Sequence, residues 1–314
     1  MAINKLKYLV SFIKKNGIRI LFNRIDDSKL RFIFAVGRSG TTWLGKGLSF
    51  TETPIQYISE PIPHFLPRLN IGSEDDISFV SLDEKLGFFH PLILMLKKIQ
   101  SGLESDDFIP NYFQKKVIRD QDEKHLILIK EVHSHLVLPQ LIKKLPQAKF
   151  IFIYRNPLYV LDSLLTYKDD SIGLWEQEYF ELVTYYNLND FIDEFSISEN
   201  SRNRKLVSIA LQNNFLQSIE NSNCIKVSYN SLCIDPSTNF KNIADFFNFK
   251  YGINAIENLK TTFESTDEVF DHTSVHRNTF SQVDRDFRIL TESEVEEFKL
   301  ILTNLENLGF KTGL

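Results

Sequence analysis

The stretch Arg31-Phe-Ile-Phe-Ala-Val36, Gly37-Arg38-Ser39-Gly40, Thr41-Thr42-Trp43-Leu44 combines a short apolar strand, a tight polar turn and the start of a helix. The apolar run is typical of a buried strand. Gly37 and Gly40 permit backbone conformations and a close approach that side chains would block, so successive N–H groups can converge on an anion at the helix N-terminus. Thr41 and Thr42 add hydroxyl donors. The stretch therefore predicts a phosphate-type anion site at the end of a strand.

Strand-like and helix-like segments alternate along the rest of the chain. This alternation predicts an α/β fold: a P-loop-like, doubly wound parallel sheet of about five strands with helices on both faces. In such sheets ligands bind outside the carboxyl ends of the strands. The predicted strands are residues 31–36, 55–58, 126–129, 150–154 and 225–227, and the predicted helices are 42–48, 137–145, 158–165, 205–219 and 240–247.

Composition limits the class of protein. The 314 residues are 43% hydrophobic and 25% charged, which is ordinary for a globular protein. A net charge of −5 has the wrong sign for a protein that coats nucleic acid, so no nucleic-acid partner is expected. The two cysteines, Cys224 and Cys233, form neither a disulfide framework nor a zinc-site pattern. We expect a single domain over residues 31–314, with insertions 65–125 and 168–204 as helical segments above the site.

The first thirty residues are basic, with seven Lys or Arg residues against two Asp. Apolar residues recur there at helical spacing, which predicts a basic amphipathic helix over residues 1–30. Lysines interrupt every apolar run, so the sequence predicts neither a transmembrane segment nor a signal peptide, and we expect a cytoplasmic protein. This helix either packs on its own domain or makes peripheral contact with an anionic membrane surface.

A second pattern in the first loop resembles a nucleoside-triphosphate site. Gly40 through Gly45-Lys46-Gly47 fits G-x-x-x-x-G-K, but Gly47 replaces the Ser or Thr that would hold Mg²⁺. Lys46 also falls a turn or more inside the helix, too late to hold phosphate as a Walker lysine does. An ATP-dependent phosphotransferase (kinase) remains the alternative reading of this loop.

A second anion site is predicted at the end of the fourth strand, in Phe150-Ile-Phe-Ile-Tyr154-Arg155-Asn156-Pro157. Asn156 is suited to cap a helix and Pro157 to its first turn, which places Arg155 at the carboxyl edge of the sheet. An arginine fork binds phosphate through two parallel hydrogen bonds.

The first loop, together with Arg155-Asn156-Pro157 and Ser163, resembles the family of sulfotransferases that use 3′-phosphoadenosine 5′-phosphosulfate (PAPS). The pattern is most similar to the bacterial carbohydrate-type and the tyrosyl-protein-type members. The resemblance implies that the loop from Gly37 through Arg38, Ser39, Gly40, Thr41 and Thr42 to Trp43 holds the 5′-phosphosulfate, and that Arg155 and Ser163 hold the 3′-phosphate. It further implies an adenine contact for Tyr229, a 3′-phosphate contact from the late basic residue Arg277, and no requirement for a metal.

Sulfuryl transfer to a hydroxyl needs a base for the proton and cations on the oxygens that gain charge. The resemblance assigns Arg38 to the phosphosulfate and Lys130 to the sulfuryl oxygens. Glu60 follows the second strand, where a glutamate resembles the base of carbohydrate and tyrosyl-protein sulfotransferases. His133 is the competing base, although it lies one residue beyond the position that the histidine of cytosolic members takes.

The acceptor is the least specified part of the reaction. Glu60-Pro61 favours a carbohydrate or glycolipid hydroxyl, and a small alcohol or phenol with His133 as base is the alternative. The oligomeric state cannot be read from the sequence. Aromatic residues in the two insertions are candidates for an acceptor pocket, namely Phe88, Phe89, Trp175, Tyr179 and Tyr185.

Overall fold

The computed structural model describes residues 24–60, 91–100, 126–132, 135–166, 172–255, 257–258 and 285–314. His133, Arg277 and most of the insertion 65–125 lie outside the described residues. So do residues 1–23 of the predicted N-terminal helix. That helix does not extend to residue 30 as predicted, because Asp27–Lys29 form one 3-10 turn and Leu30 already pairs with Ile127 in the sheet.

The sheet has five parallel strands among the described residues, in the order β2-β3-β1-β4-β5. All five predicted strands are present, and each boundary lies within two residues of the prediction. The bounds are β1 Leu30–Ala35, β2 Ile55–Ser59, β3 Leu126–Glu131, β4 Lys149–Tyr154 and β5 Cys224–Ser228.

Helices connect the strands and cover both faces of the sheet, as the alternating pattern predicted. The described α-helices are α1 Thr41–Leu48, α2 Pro91–Gln100, α3 Leu138–Lys144, α4 Pro157–Thr166, α5 Ile172–Tyr186, α6 Asn189–Glu194, α7 Ser201–Ser218, α8 Tyr229–Ile234, α9 Pro236–Phe247 and α10 Glu292–Asn307.

Side chains that alternate along the strands separate the core into two sides. Phe32 and Phe34 of β1 point to one side with Phe150 and Phe152 of β4, where they pack against α2, α3 and the end of α7. The alternate residues of the same strands pack against α1, α8 and α9 on the other side. A third cluster joins α4, α5, α6, α7 and α10 to one another. The doubly wound arrangement is therefore built from strands that are apolar on both faces.

The strand order places β1 at the centre, between β3 and β4. The chain leaves β1 for β2 and β3 on one side and then crosses to β4 and β5 on the other. The carboxyl ends of β1, β3 and β4 are thus neighbours at the point where the direction of winding changes. Open α/β sheets bind their ligands at such a point.

Candidate active site

The loop after β1 has the shape of an anion site. Ser39 N–H donates to the Val36 carbonyl at 3.3 Å, and Gly40 (φ 84°) leads into α1, whose first turn leaves backbone N–H groups without helical acceptors. Ser39 is fully buried, and its hydroxyl has no hydrogen-bond partner among the described residues. A buried hydroxyl beside a helix N-terminus suits an anion that accepts hydrogen bonds.

Tyr229, the first residue of α8, covers this loop. A Cβ added at Gly40 would lie 2.4 Å from Tyr229 Cε2 and 2.6 Å from Cδ2, so only glycine fits beneath the ring. The φ of 84° at Gly40 independently favours glycine. Tyr229, to which the family resemblance gave the adenine contact, is itself buried.

Arg155 meets the first loop directly. Asn156 caps α4 as predicted, since its Oδ1 accepts from Leu158 N–H at 2.9 Å. Arg155 Nη1 then donates to the backbone carbonyl of Arg38 at 2.9 Å, and its Cζ lies 4.2 Å from the centroid of the Tyr229 ring. A guanidinium over an aromatic face is attracted by the ring's electrons. The two anion sites that the sequence predicted separately are therefore adjacent.

Arg38 joins the two sites through its side chain. Its Nε donates to Ser163 Oγ at 3.2 Å, although the family resemblance assigned the two residues to different phosphates. Arg38 also has a left-handed backbone, with φ at 67°. Such a conformation costs a side-chain-bearing residue about 1–3 kcal/mol and is often found at functional sites. We call the group formed by Arg38, Arg155 and Ser163 the two-arginine site.

The remaining residues of the loop and α1 serve packing as well. Thr41 is buried, and Trp43 packs its ring edge-on against Phe240 of α9 at 5.1 Å. A Cβ at Gly45 would lie 2.5 Å from the Tyr57 hydroxyl, so this glycine lets α1 approach β2. Lys46 lies in the last turn of α1. Gly40 and Gly45 of the G-x-x-x-x-G-K pattern are thus each required by close contact with a tyrosine ring.

Glu60 and Lys130 form an ion pair at the neighbouring strand ends. Lys130 is 3% exposed, whereas Glu60 is 34% exposed, so the carboxylate is open to solvent on one side. Glu60 N–H also donates to the Lys130 carbonyl at 2.7 Å, and Glu60 has a left-handed backbone with φ at 48°. The predicted base and the predicted cation are therefore in contact.

His135 contacts the end of β1. It is buried, and its Nε2 lies 3.1 Å from the carbonyl oxygen of Ala35, the last residue of β1. This contact holds the end of β1 from which the anion loop leaves.

Asp162 and Tyr159, both on α4, were not among the site residues predicted from the sequence. Asp162 is fully buried and pairs with Arg285 Nη2 at 2.9 Å. Tyr159 lies between Arg155, whose Cζ is 5.9 Å from its ring centroid, and Phe287, which stacks on it at 4.9 Å. The one signal in the sequence was an acidic residue within a mostly apolar helix.

The aromatic candidates for an acceptor pocket differ in their exposure to solvent. Tyr179 is buried in the core formed with α7 and α10, so its assignment to an acceptor pocket was wrong. Tyr185 is 63% exposed. Phe88, Phe89 and the Trp175 side chain lie outside the described residues.

Two kinds of feature are absent from the described part of the chain. No helix there is long and apolar enough to cross a membrane. No group of three or more His, Cys, Asp or Glu side chains there is arranged to hold a metal ion.

Comparison with known proteins identifies the family. A family model described as the sulfotransferase family matches residues 32–252, which include the first loop, Glu60, Lys130 and the two-arginine site. No curated protein matches the sequence of this chain.

Several solved structures are similar to this chain. Mouse sulfotransferase SULT7A1 complexed with PAP is 14% identical (TM-score 0.45), with 88% of this chain and 84% of that chain covered. The sulfotransferase domain of the Synechococcus PCC 7002 olefin synthase is 16% identical (TM-score 0.45; 88% and 94% covered). Sulfotransferase STF9 from Mycobacterium avium is 13% identical (TM-score 0.44; 95% and 80% covered). On the family match, this chain belongs to the sulfotransferase family and is a sulfotransferase.

Proposed function

We propose that this sulfotransferase moves the sulfuryl group of PAPS to a hydroxyl of a carbohydrate or glycolipid acceptor, with Glu60 as the base. The observation that carries the proposal is the contact between Arg155 and the loop after β1, with 2.9 Å between Arg155 Nη1 and the Arg38 carbonyl oxygen. It joins, at one sheet edge, the two segments predicted to bind anions, and a nucleotide with phosphates at both its 5′ and 3′ positions needs two anion sites.

The residues fit such a donor. The buried Ser39 hydroxyl and the backbone N–H groups before α1 suit the 5′-phosphosulfate. Arg155 and Ser163 suit the 3′-phosphate, and Arg38, which contacts Ser163, reaches the same place. The adenine contact of Tyr229 through its remaining surface, and the contribution of Arg277, remain part of the proposal on the strength of the family resemblance.

The donor PAPS supplies the sulfuryl group. The leaving group is the 5′-phosphate, which stays on the nucleotide. Glu60 accepts the proton of the acceptor hydroxyl as the new oxygen–sulfur bond forms and the bond from sulfur to the 5′-phosphate oxygen breaks. Lys130 holds positive charge beside the oxygens that become more negative in this step. The partial exposure of Glu60 lets an acceptor hydroxyl approach it, while the buried Lys130 stays fixed.

The acceptor and the cellular location belong to the same proposal. A glutamate base after the second strand favours a carbohydrate or glycolipid hydroxyl, and the basic residues 1–30 are consistent with a cytoplasmic enzyme in peripheral contact with a membrane. A small alcohol or phenol with His133 as base is the competing version.

A transfer assay tests the proposal. Release of adenosine 3′,5′-bisphosphate (3′,5′-ADP) from PAPS is measured with oligosaccharide, glycolipid, phenol and alcohol acceptors. We expect a sugar-bearing acceptor to react, Glu60→Gln to lower kcat by about 10²–10⁴-fold with the KM for PAPS unchanged, and His133→Ala to stay active. Activity that survives Glu60→Gln but not His133→Ala would overturn the assignment of the base. If none of these acceptors is sulfated, a carbohydrate or glycolipid acceptor is not supported.

A further inference from the structure

Asp162 organises a segment far away in the sequence. Its Oδ2 accepts from Arg285 Nη2 at 2.9 Å, and its Oδ1 accepts from the backbone N–H groups of Arg288 at 2.9 Å and Ile289 at 2.8 Å. We call residues 285–290 the C-terminal strap. A fully buried carboxylate is costly unless it is paired and hydrogen-bonded, and this one is both.

The C-terminal strap in turn contacts Tyr159. Phe287 stacks on the Tyr159 ring with centroids 4.9 Å apart and planes at 25°, and Arg285 Cζ lies 5.8 Å from the same centroid. Arg155 Cζ lies 5.9 Å from that ring and 4.2 Å from the ring of Tyr229. A continuous set of contacts therefore runs from Asp162 to the guanidinium of Arg155.

Helix geometry brings the same turn of α4 to the two-arginine site. Residues three and four apart share a helix face, so Tyr159, Asp162 and Ser163 lie together. Ser163 accepts from Arg38 Nε, and Tyr159 contacts Arg155. One helical turn thus carries both the anchor of the strap and contacts with both arginines.

We propose that Asp162 is a positioning residue: by fixing Arg285 and Phe287 against Tyr159, it sets the orientation of the Arg155 guanidinium toward the 3′-phosphate of the nucleotide. The inference rests on the proposed function. It differs from a purely structural role for Asp162 because it concerns recognition of one phosphate, whereas a structural role concerns stability alone.

Calorimetric titration with 3′,5′-ADP and with 5′-AMP, which lacks the 3′-phosphate, separates the two roles. Asp162→Asn keeps the size of the side chain but removes its charge. We expect it to lower the affinity ratio of 3′,5′-ADP over 5′-AMP by about tenfold. Arg285→Gln provides a second variant if Asp162→Asn does not fold, and we expect a similar loss. The double variant is expected to be no worse than either single variant, because both remove the same interaction.

Thr291→Ala is the matched control, since it removes the capping box of α10, directly after the strap, without touching Asp162. We expect a lower melting temperature and an unchanged affinity ratio. If Asp162→Asn and Arg285→Gln leave the ratio as unchanged as Thr291→Ala does, the inference is overturned and Asp162 only holds the strap in place. If the wild-type chain itself does not prefer 3′,5′-ADP, the proposed function fails, and the inference fails with it.

Discussion

Arg155 Nη1 lies 2.9 Å from the backbone carbonyl oxygen of Arg38, so a side chain from the end of β4 holds the loop that follows β1. The two strands are neighbours, with Ala35 opposite Ile153, and both loops leave the sheet at the same edge. This contact makes one site of two segments that are more than a hundred residues apart in the sequence. Changes in either segment are therefore expected to affect the other.

Gly40 gives the sharpest test of the first loop. Gly40→Ala places a Cβ within 2.6 Å of two Tyr229 ring atoms, so either the ring or the loop must shift. Gly309→Ala is the matched control, because Gly309 also has a positive φ (91°) but nothing lies within 4 Å of its added Cβ. Both variants carry the backbone cost of a left-handed alanine, about 1–2 kcal/mol.

We expect Gly40→Ala to lose a further 1–3 kcal/mol, roughly, from overpacking, as measured by urea unfolding. It should also bind 3′,5′-ADP more weakly, whereas Gly309→Ala should bind it normally. Equal losses in the two variants would show that the Tyr229 contact is unimportant.

Replacing Glu60 and replacing Lys130 should lower the free energy of unfolding by different amounts. Glu60→Gln leaves the ammonium of a 3%-exposed lysine without its carboxylate, whereas Lys130→Met leaves a carboxylate that is 34% exposed and remains hydrated. We expect Glu60→Gln to cost about 1–2 kcal/mol of unfolding free energy, the cost of breaking a buried pair reduced by partial exposure. Lys130→Met should cost less, and both variants should lose transferase activity. A larger stability loss in Lys130→Met would contradict this account.

The cysteines should be unreactive in the folded protein. Burial raises the pKa of the Cys233 thiol from 9.0 to about 11 and that of Cys224 to about 12. At pH 8 almost no thiolate is present, so we expect mass spectrometry to show no alkylation by iodoacetamide until denaturant is added. Because the folded pKa values lie above the unfolded ones, the thiols favour the folded state below pH 9. This contribution is lost as the pH rises toward 11 and 12. Rapid alkylation of the native protein would contradict the raised pKa values of these thiols.

Much of the fold could be predicted because its signals are local. Short runs of aromatic and β-branched residues such as Phe150–Ile153 predict strands from the residues themselves, and the cap formed by Asn156 needs only the residues that follow it. Because parallel strands end on the same side, the predicted strands also placed Glu60, Lys130 and Arg155 at one edge of the sheet.

What could not be predicted depends on distant partners. Asp162 pairs with Arg285, which lies 123 residues further along the chain, and no local sequence pattern predicts that pair. The assignment of Tyr179 to an acceptor pocket failed for a related reason, because an aromatic residue on a helix gives no indication of which face the rest of the protein covers.

Thermal unfolding with nucleotides tests the central claim, a PAPS site built around Arg155, most directly. A ligand at one hundred times its Kd stabilises the folded state by about 2.7 kcal/mol, which raises Tm by several degrees. We predict such a shift with 3′,5′-ADP, little or none with AMP, ADP or ATP and Mg²⁺, and a much smaller shift with 3′,5′-ADP in Arg155→Lys, which keeps the charge but loses the fork. A shift with ATP and Mg²⁺ but not with 3′,5′-ADP would contradict the account.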